Sequence, residues 1–179
     1  MLVSYIFAFC RVAIGLLFLA SFIGKLRAGT QFRQTINDFR LISPRLSQGA
    51  ATLFLCCELA IVVCMIFGNF LLLPGFLLAT LLLCVFSGAI ALGLLRKRQV
   101  PCNCFGASSQ VISPVDLYRN AGLLLCAAGG CGIQSLLKQA LQALNWVEWL
   151  PVALGAAIFV LLWTQLGELI QLFRPARNI

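Results

Sequence analysis

Apolar residues fall along this chain in five long runs separated by short polar breaks, and the breaks carry most of the information. The runs cover about residues 2–23, 49–67, 71–95, 115–133 and 150–173, each near the roughly 20 residues that cross a bilayer as a helix. The pattern predicts an all-α membrane protein: a single domain over residues 1–179, built as a bundle of four to five transmembrane helices. The first run holds Arg11 in its middle, whereas a cleaved leader carries its cation before the apolar stretch. A retained helix is therefore expected.

Between the first two runs, "GTQFRQTINDFRLISPRL" places Phe32, Ile36 and Phe39 at i, i+4 and i+7, with Arg33, Gln34, Asn37 and Arg40 on other faces. Thr30 can cap its start and Pro44 lies past its end. This predicts a short helix lying in the membrane interface. Runs two and three are divided only by Gly68 and Asn69, with Pro74 in the first turn of the third, as in a tight helical hairpin. "SPVDLYRN" starts run four: Ser113 serves as N-cap, Pro114 stands at the first helical position, and Asp116 complements the helix dipole. Trp146 and Trp149 then occupy an interfacial connection before run five.

Composition agrees with this reading. Charged residues make up 10% of the chain against about a quarter in soluble domains, and the mean hydropathy is +1.01. The net charge of +8 lies at the ends of apolar runs, the distribution that sets topology and contacts lipid head groups. It does not form the basic stripe with interleaved aromatics that marks nucleic-acid binding. Five spans put the two termini on opposite sides. The basic segments 25–45 and 96–98, with the tail bearing Arg174 and Arg177, share one side. That side is cytoplasmic by the positive-inside rule, with the N-terminus outside.

Candidate chemistry is limited by the absence of histidine, which excludes hydrolytic triads and His-based metal sites. Nine cysteines are present, and free cysteine also serves as a small packing hydrophobe. Two stand apart, in the polar stretch "RKRQVPCNCFGASSQ". There Cys102 and Cys104 follow Arg96, Lys97 and Arg98 and precede a helix N-terminus, and both features favour thiolate. An exposed, strained Cys-x-Cys bridge is readily exchanged. The pair is thus the candidate redox centre.

Depth suggests a second candidate. At about 1.5 Å per residue, Arg11 is roughly 13 Å from the N-terminal end of helix one, and Glu58 roughly 15 Å from the Gly68 turn on the same side. Charges at such depth need partners, so the sequence predicts an intramembrane ion pair between Arg11 and Glu58. By the same measure Cys56, Cys57 and Cys84 are buried near mid-depth, while Cys64 and Cys131 approach the face opposite Cys102 and Cys104. Vicinal Cys56 and Cys57 raise the alternative of a soft-metal carrier, although neighbours on a helix diverge by about 100°. A noncatalytic membrane scaffold is the third reading.

In order along the chain, "RVAIGLLFLASFIGKLR", "DFRLISP", "CCELAIVV", "AIALGLLRKRQVPCNCFG" and "ISPVDLYRN" resemble the MauE family of bacterial methylamine-utilisation membrane proteins, a DoxX-like bundle. The most specific part is Cys102-x-Cys104-Phe105, followed by Ile112-Ser113 and Arg119-Asn120. The resemblance implies an accessory protein of the inner membrane. It would work beside a thioredoxin-like partner in processing, transport or disulfide maturation of the methylamine dehydrogenase small subunit. Asn103 departs from the Gly that commonly separates the cysteines. No metal and no cofactor is assigned by the residues; a bound quinone stays open. Disulfide maturation of an exported subunit takes place outside the cytoplasm, whereas the charges put Cys102 and Cys104 inside.

Overall fold

The computed structural model describes residues 1–30, 34, 47–96, 114–137 and 145–165. Five helices, and no strand among the described residues, make up the fold: α1 Leu2–Arg27, α2 Ser47–Phe67, α3 Leu72–Leu95, α4 Pro114–Leu136 and α5 Trp146–Thr164. Four of them, all but α4, are long and apolar enough to cross a membrane. With Leu53, Ile66, Leu81, Leu125 and Leu161 each at least 60% exposed on the outer surface, the solvent that suits this exterior is lipid. The chain is a multi-pass membrane protein. The interfacial helix expected around Phe32, Ile36 and Phe39 lies outside the described residues.

Helix α1 is the hub, packed against α2, α4 and α5, while α3 packs against α2 and α4. Thus α1 to α4 close a four-helix ring around Phe7, Ile14, Leu17, Phe18, Ile61, Phe76, Leu83 and Leu123. Helix α5 lies against the outside of α1, where Phe9 meets Phe159 at 5.4 Å between ring centroids.

The α2–α3 hairpin ends as the sequence suggests. Gly68 adopts φ +68, the left-handed conformation that closes helix C-termini, and its N–H donates to the Cys64 carbonyl at 3.2 Å. A short 3-10 turn over Asn69–Leu71 leads into α3. Farther along, Gly75 lets the hairpin close, because a Cβ there would stand 2.7 Å from that of Cys64.

Helix α4 solves a different problem. It carries Asp116, Arg119, Asn120 and Gln134 and has little bulk to offer the core. Its small residues instead admit large side chains from its neighbours, the usual means of close helix approach in membranes. A Cβ on Gly130 would fall 2.4 Å from Phe76, and one on Gly122 would fall 2.5 Å from Trp163.

Helix α5 begins four residues before the expected span, so Trp146 and Trp149 belong to its first turn and not to a connection. The cause is a capping box. The Asn145 side chain accepts from the backbone at Glu148, and the Asn145 N–H donates to Glu148 Oε2 at 2.8 Å.

Replacing Gly130 by Leu should overpack Phe76 and destabilise the bundle by about 1–3 kcal/mol. Gly129→Leu, whose position meets nothing within 4 Å, should be near neutral. Thermal loss of helical circular dichroism in detergent would separate the two.

Candidate functional site

Three helix ends meet where α1 finishes, α3 leaves the bundle and α4 re-enters it. Between them is a cleft of about 430 Å³, counting its open mouth. Leu17, Phe18, Leu83, Phe86, Ile90 and Leu123 form its apolar walls, and Ser21, Lys25, Glu58, Asp116, Arg119 and Asn120 supply its polar groups. Such a mixture, apolar with a few converging polar atoms, is typical of binding sites.

Its innermost group is an ion pair. Lys25 Nζ and Glu58 Oε1 are in direct contact, and both side chains are fully buried. Ser21 lies one turn before Lys25 on the same face of α1; its hydroxyl donates to Glu58 Oε1 at 2.9 Å and accepts from Lys25 Nζ at 3.0 Å. Lys25 Nζ also stands 4.8 Å from the centroid of the Phe86 ring, within range of a cation–π attraction. Among the described residues, Glu58 Oε2 is buried without a hydrogen-bond partner.

This arrangement replaces the expected Arg11–Glu58 pair. A match by depth requires helix one and helix two to begin flush at the Gly68 side, but α1 is staggered. Gly15 faces Met65, with an ideal Cβ 3.4 Å from that of Met65. Glu58 consequently lies level with Ser21 and Phe22, roughly 16 Å along α1 from Arg11. Arg11 reaches the end of α2 instead: its Nε donates to the Met65 carbonyl at 2.7 Å and an Nη donates to the Ile66 carbonyl at 3.1 Å. These are terminal carbonyls that a helix leaves without intrahelical donors, and a cation there also suits the dipole. Trp149 lies 5.8 Å from the guanidinium, and a Cβ on Gly68 would come within 2.9 Å of it.

By sequence Lys25 belongs with the interfacial cations, because it lies near the end of an apolar run. In the fold it is 1% exposed. Helical side chains tilt toward the N-terminus, so from the last turn of α1 its long stem runs back into the bundle and not out to water. The i, i+4 spacing of Ser21 and Lys25 opposite a helix bearing a single carboxylate was the available signal.

At the mouth, α4 is fastened on both sides. Asn120 Nδ2 donates to Ser87 Oγ at 2.8 Å and to the Leu83 carbonyl at 3.1 Å, tying it to α3. Arg119 pairs with Asp116 at 3.4 Å and donates to the Thr164 carbonyl at 3.2 Å. Trp163 Nε1 returns a bond to the Arg119 carbonyl at 2.9 Å. Arg119 and Asn120 are therefore positioning residues for the start of α4, one facing α5 and the other α3. Arg96 ends α3, its N–H donating to the Leu92 carbonyl at 3.0 Å. Lys97, Arg98, Cys102, Cys104 and Phe105 lie outside the described residues. Their segment joins α3 to α4, whose adjoining portions line the cleft through Ile90 and Asp116.

The remaining cysteines disperse. Cys56 and Cys84 are exposed, Cys57 packs against the core, and Cys64 fills the space over Gly75. With Cys56 outward and Cys57 inward, the vicinal pair does not converge on one point. Cys10 is buried in the core on α1, and Cys126 on α4 packs against that core.

Removing one partner of a buried ion pair strands the other charge. Glu58→Ala should therefore cost about 3–5 kcal/mol, whereas Lys25→Met with Glu58→Leu should fold with near-wild-type stability. Denaturant midpoints of the single and double variants in micelles would test this; a double variant as unstable as the single one would contradict it.

Over residues 3–133 the chain matches the sequence profile of the family described as "Methylamine utilisation protein MauE". It is 32% identical over 119 residues to the methylamine utilization protein MauE of Paracoccus denitrificans, an alignment covering 65% of this chain and 63% of that protein. No solved structure matches it. The matched region takes in α1 to α3, nearly all of α4, and the Cys102–Cys104 segment, and ends before α5. This chain belongs to the MauE family.

Proposed function

We propose that this protein is an accessory factor of methylamine utilisation in the bacterial inner membrane, where Cys102 and Cys104 exchange disulfides during maturation of the methylamine dehydrogenase small subunit. The observation that carries the reading is the placement of helix ends around the cleft. The chain leaves α3 at Arg96 and enters α4 at Pro114, so the two helices that flank the dithiol segment in sequence both line the cleft in which Asp116, Arg119 and Asn120 accompany the buried Lys25–Glu58 pair. The family membership supports the biological setting, and the name of the Paracoccus relative supports the pathway.

In chemical terms, a thiolate of the pair attacks one sulfur of a disulfide on a thioredoxin-like partner. A mixed disulfide forms, and the partner's second sulfur leaves as thiolate. The other cysteine then attacks the mixed bond, closing Cys102–Cys104 and releasing the reduced partner; the reverse sequence donates the disulfide. Arg96, Lys97 and Arg98 favour the thiolate that begins either direction. The Lys25–Glu58 pair has zero net charge and fixes the packing of α1 on α2. The charge distribution supports an N-terminus outside and a C-terminus in the cytoplasm.

In a methylamine-grown host lacking its own copy, the Cys102→Ser, Cys104→Ser double variant should reduce small-subunit accumulation to the level of the deletion strain. Single variants should trap mixed disulfides visible on non-reducing gels. Normal subunit levels with the double variant would overturn the exchange role. A membrane-impermeant maleimide should label Cys102 and Cys104 in inverted membrane vesicles and not in intact spheroplasts. The opposite labelling would reverse the topology.

A further inference from the structure

The cleft contains one atom that the ion pair does not use. Glu58 is fully buried. Its Oε1 accepts from both Lys25 and Ser21, but its Oε2 has no hydrogen-bond partner among the described residues. Leaving a buried acceptor unmatched costs its lost hydration, and more so when the group is charged. Held against an ammonium, the carboxylate is ionised and can only accept. Whatever completes it must bring an O–H or an N–H.

The surroundings narrow the choice. Four ionised side chains line the cleft, and each cation is bonded to a carboxylate, Lys25 to Glu58 and Arg119 to Asp116. Their charges sum to zero, so a charged ligand would be desolvated without a counter-charge, whereas a neutral one would not. The walls are apolar and include the rings of Phe18 and Phe86. Phe86 stands beside the ion pair itself, with Lys25 Nζ 4.8 Å from its centroid, and it is held on its other side by Phe54, 5.3 Å away between centroids. A ring whose substituent reaches Glu58 therefore meets an aromatic wall, and aromatic rings attract one another in offset and edge-to-face arrangements. A water molecule would supply the donor but cover none of the apolar wall, whose burial is favourable in proportion to its area.

We propose that the cleft binds a neutral, membrane-soluble phenol, hydroquinones included, whose hydroxyl donates to Glu58 Oε2 and whose ring lies against Phe18 and Phe86. Ethers and quinones bring acceptors only and leave the carboxylate oxygen unmatched. Binding transfers no electrons and involves neither Cys102 nor Cys104, so the site stands whether or not those cysteines exchange disulfides.

The test titrates the full-length protein in detergent micelles with 4-hexylphenol, its methyl ether 4-hexylanisole and the saturated 4-hexylcyclohexanol, by calorimetry against protein-free micelles. The phenol should bind saturably at one site per chain, and the ether, which has the same apolar body and no donor, about tenfold or more weakly. The cyclohexanol should also bind less tightly than the phenol. In the Lys25→Met, Glu58→Leu double variant, which removes the acceptor together with its partner, the preference for phenol over ether should vanish. No saturable binding, or equal affinity for phenol and ether, would overturn the proposal, and that comparison on the native protein decides it even where the double variant does not fold. Equal affinity for the cyclohexanol would overturn the aromatic class, and an undiminished preference in the folded double variant would overturn the placement at Glu58. Because none of these readouts involves the loop cysteines, failure here leaves the exchange reading intact, and failure of that reading leaves this one intact.

Discussion

The contact between Lys25 and Glu58 sets what the bundle is able to do with its other parts. A carboxylate and an ammonium held away from water each carry a desolvation cost of several kcal/mol, offset only when they meet in good geometry. Meeting requires α1 and α2 to hold one register, with Ser21 and Lys25 opposite Glu58. That register carries α1 past the end of α2, so that Arg11 can reach the carbonyls of Met65 and Ile66. The same stagger brings Phe7 to Phe76 on α3, with ring centroids 5.7 Å apart. A slip of one turn would separate these contacts together, and the fold is specific for this reason.

Helix α4 then completes the ring on different terms. It contributes less apolar bulk than its neighbours, and its attachments are polar at one end and steric at the other. Asn120 occupies Ser87 and the Leu83 carbonyl, while Gly130 makes room for Phe76. Within a membrane, association between helices gains little from hydrophobic burial and relies on close packing and interhelical hydrogen bonds. Both devices are concentrated in the helix that begins where the dithiol segment ends, so the segment's exit is fixed to α3 and α5 at once.

The fold was legible in the sequence wherever a residue acts through its own local chemistry. Gly68 and Pro74 announced the hairpin, Pro114 and Asp116 announced the start of α4, and the apolar runs announced the helices. What was not legible depends on how one helix sits against another. A ruler of 1.5 Å per residue gives depth within a helix but not the stagger between two, which is why Arg11 was matched to Glu58 and Lys25 was left among the surface cations. The start of α5 was misplaced because Trp146 and Trp149 are equally at home in a connection and in a first helical turn; Asn145 and Glu148 decide between them. The meeting of Ser21 and Lys25 with Glu58 also depends on the rotation of α1 and α2 about their axes, to which apolar periodicity is silent when helices are hydrophobic all round.

The two ends of the bundle are linked by α1. At one end its Ser21 and Lys25 form the floor of the cleft. At the other Tyr5 donates to Glu148 Oε1 at 2.8 Å, and Arg11 joins the end of α2 and approaches Trp149. Glu148 is also the residue that closes the capping box of α5, so α5 is held by its N-terminal cap to α1 and by Trp163 to α4. A change in the position of α1 would thus be felt simultaneously at the cleft, at the α2–α3 turn and at the seat of α5. In this architecture, the packing of α1 against α2, α4 and α5 connects the cleft at one end of the bundle to the seat of α5 at the other.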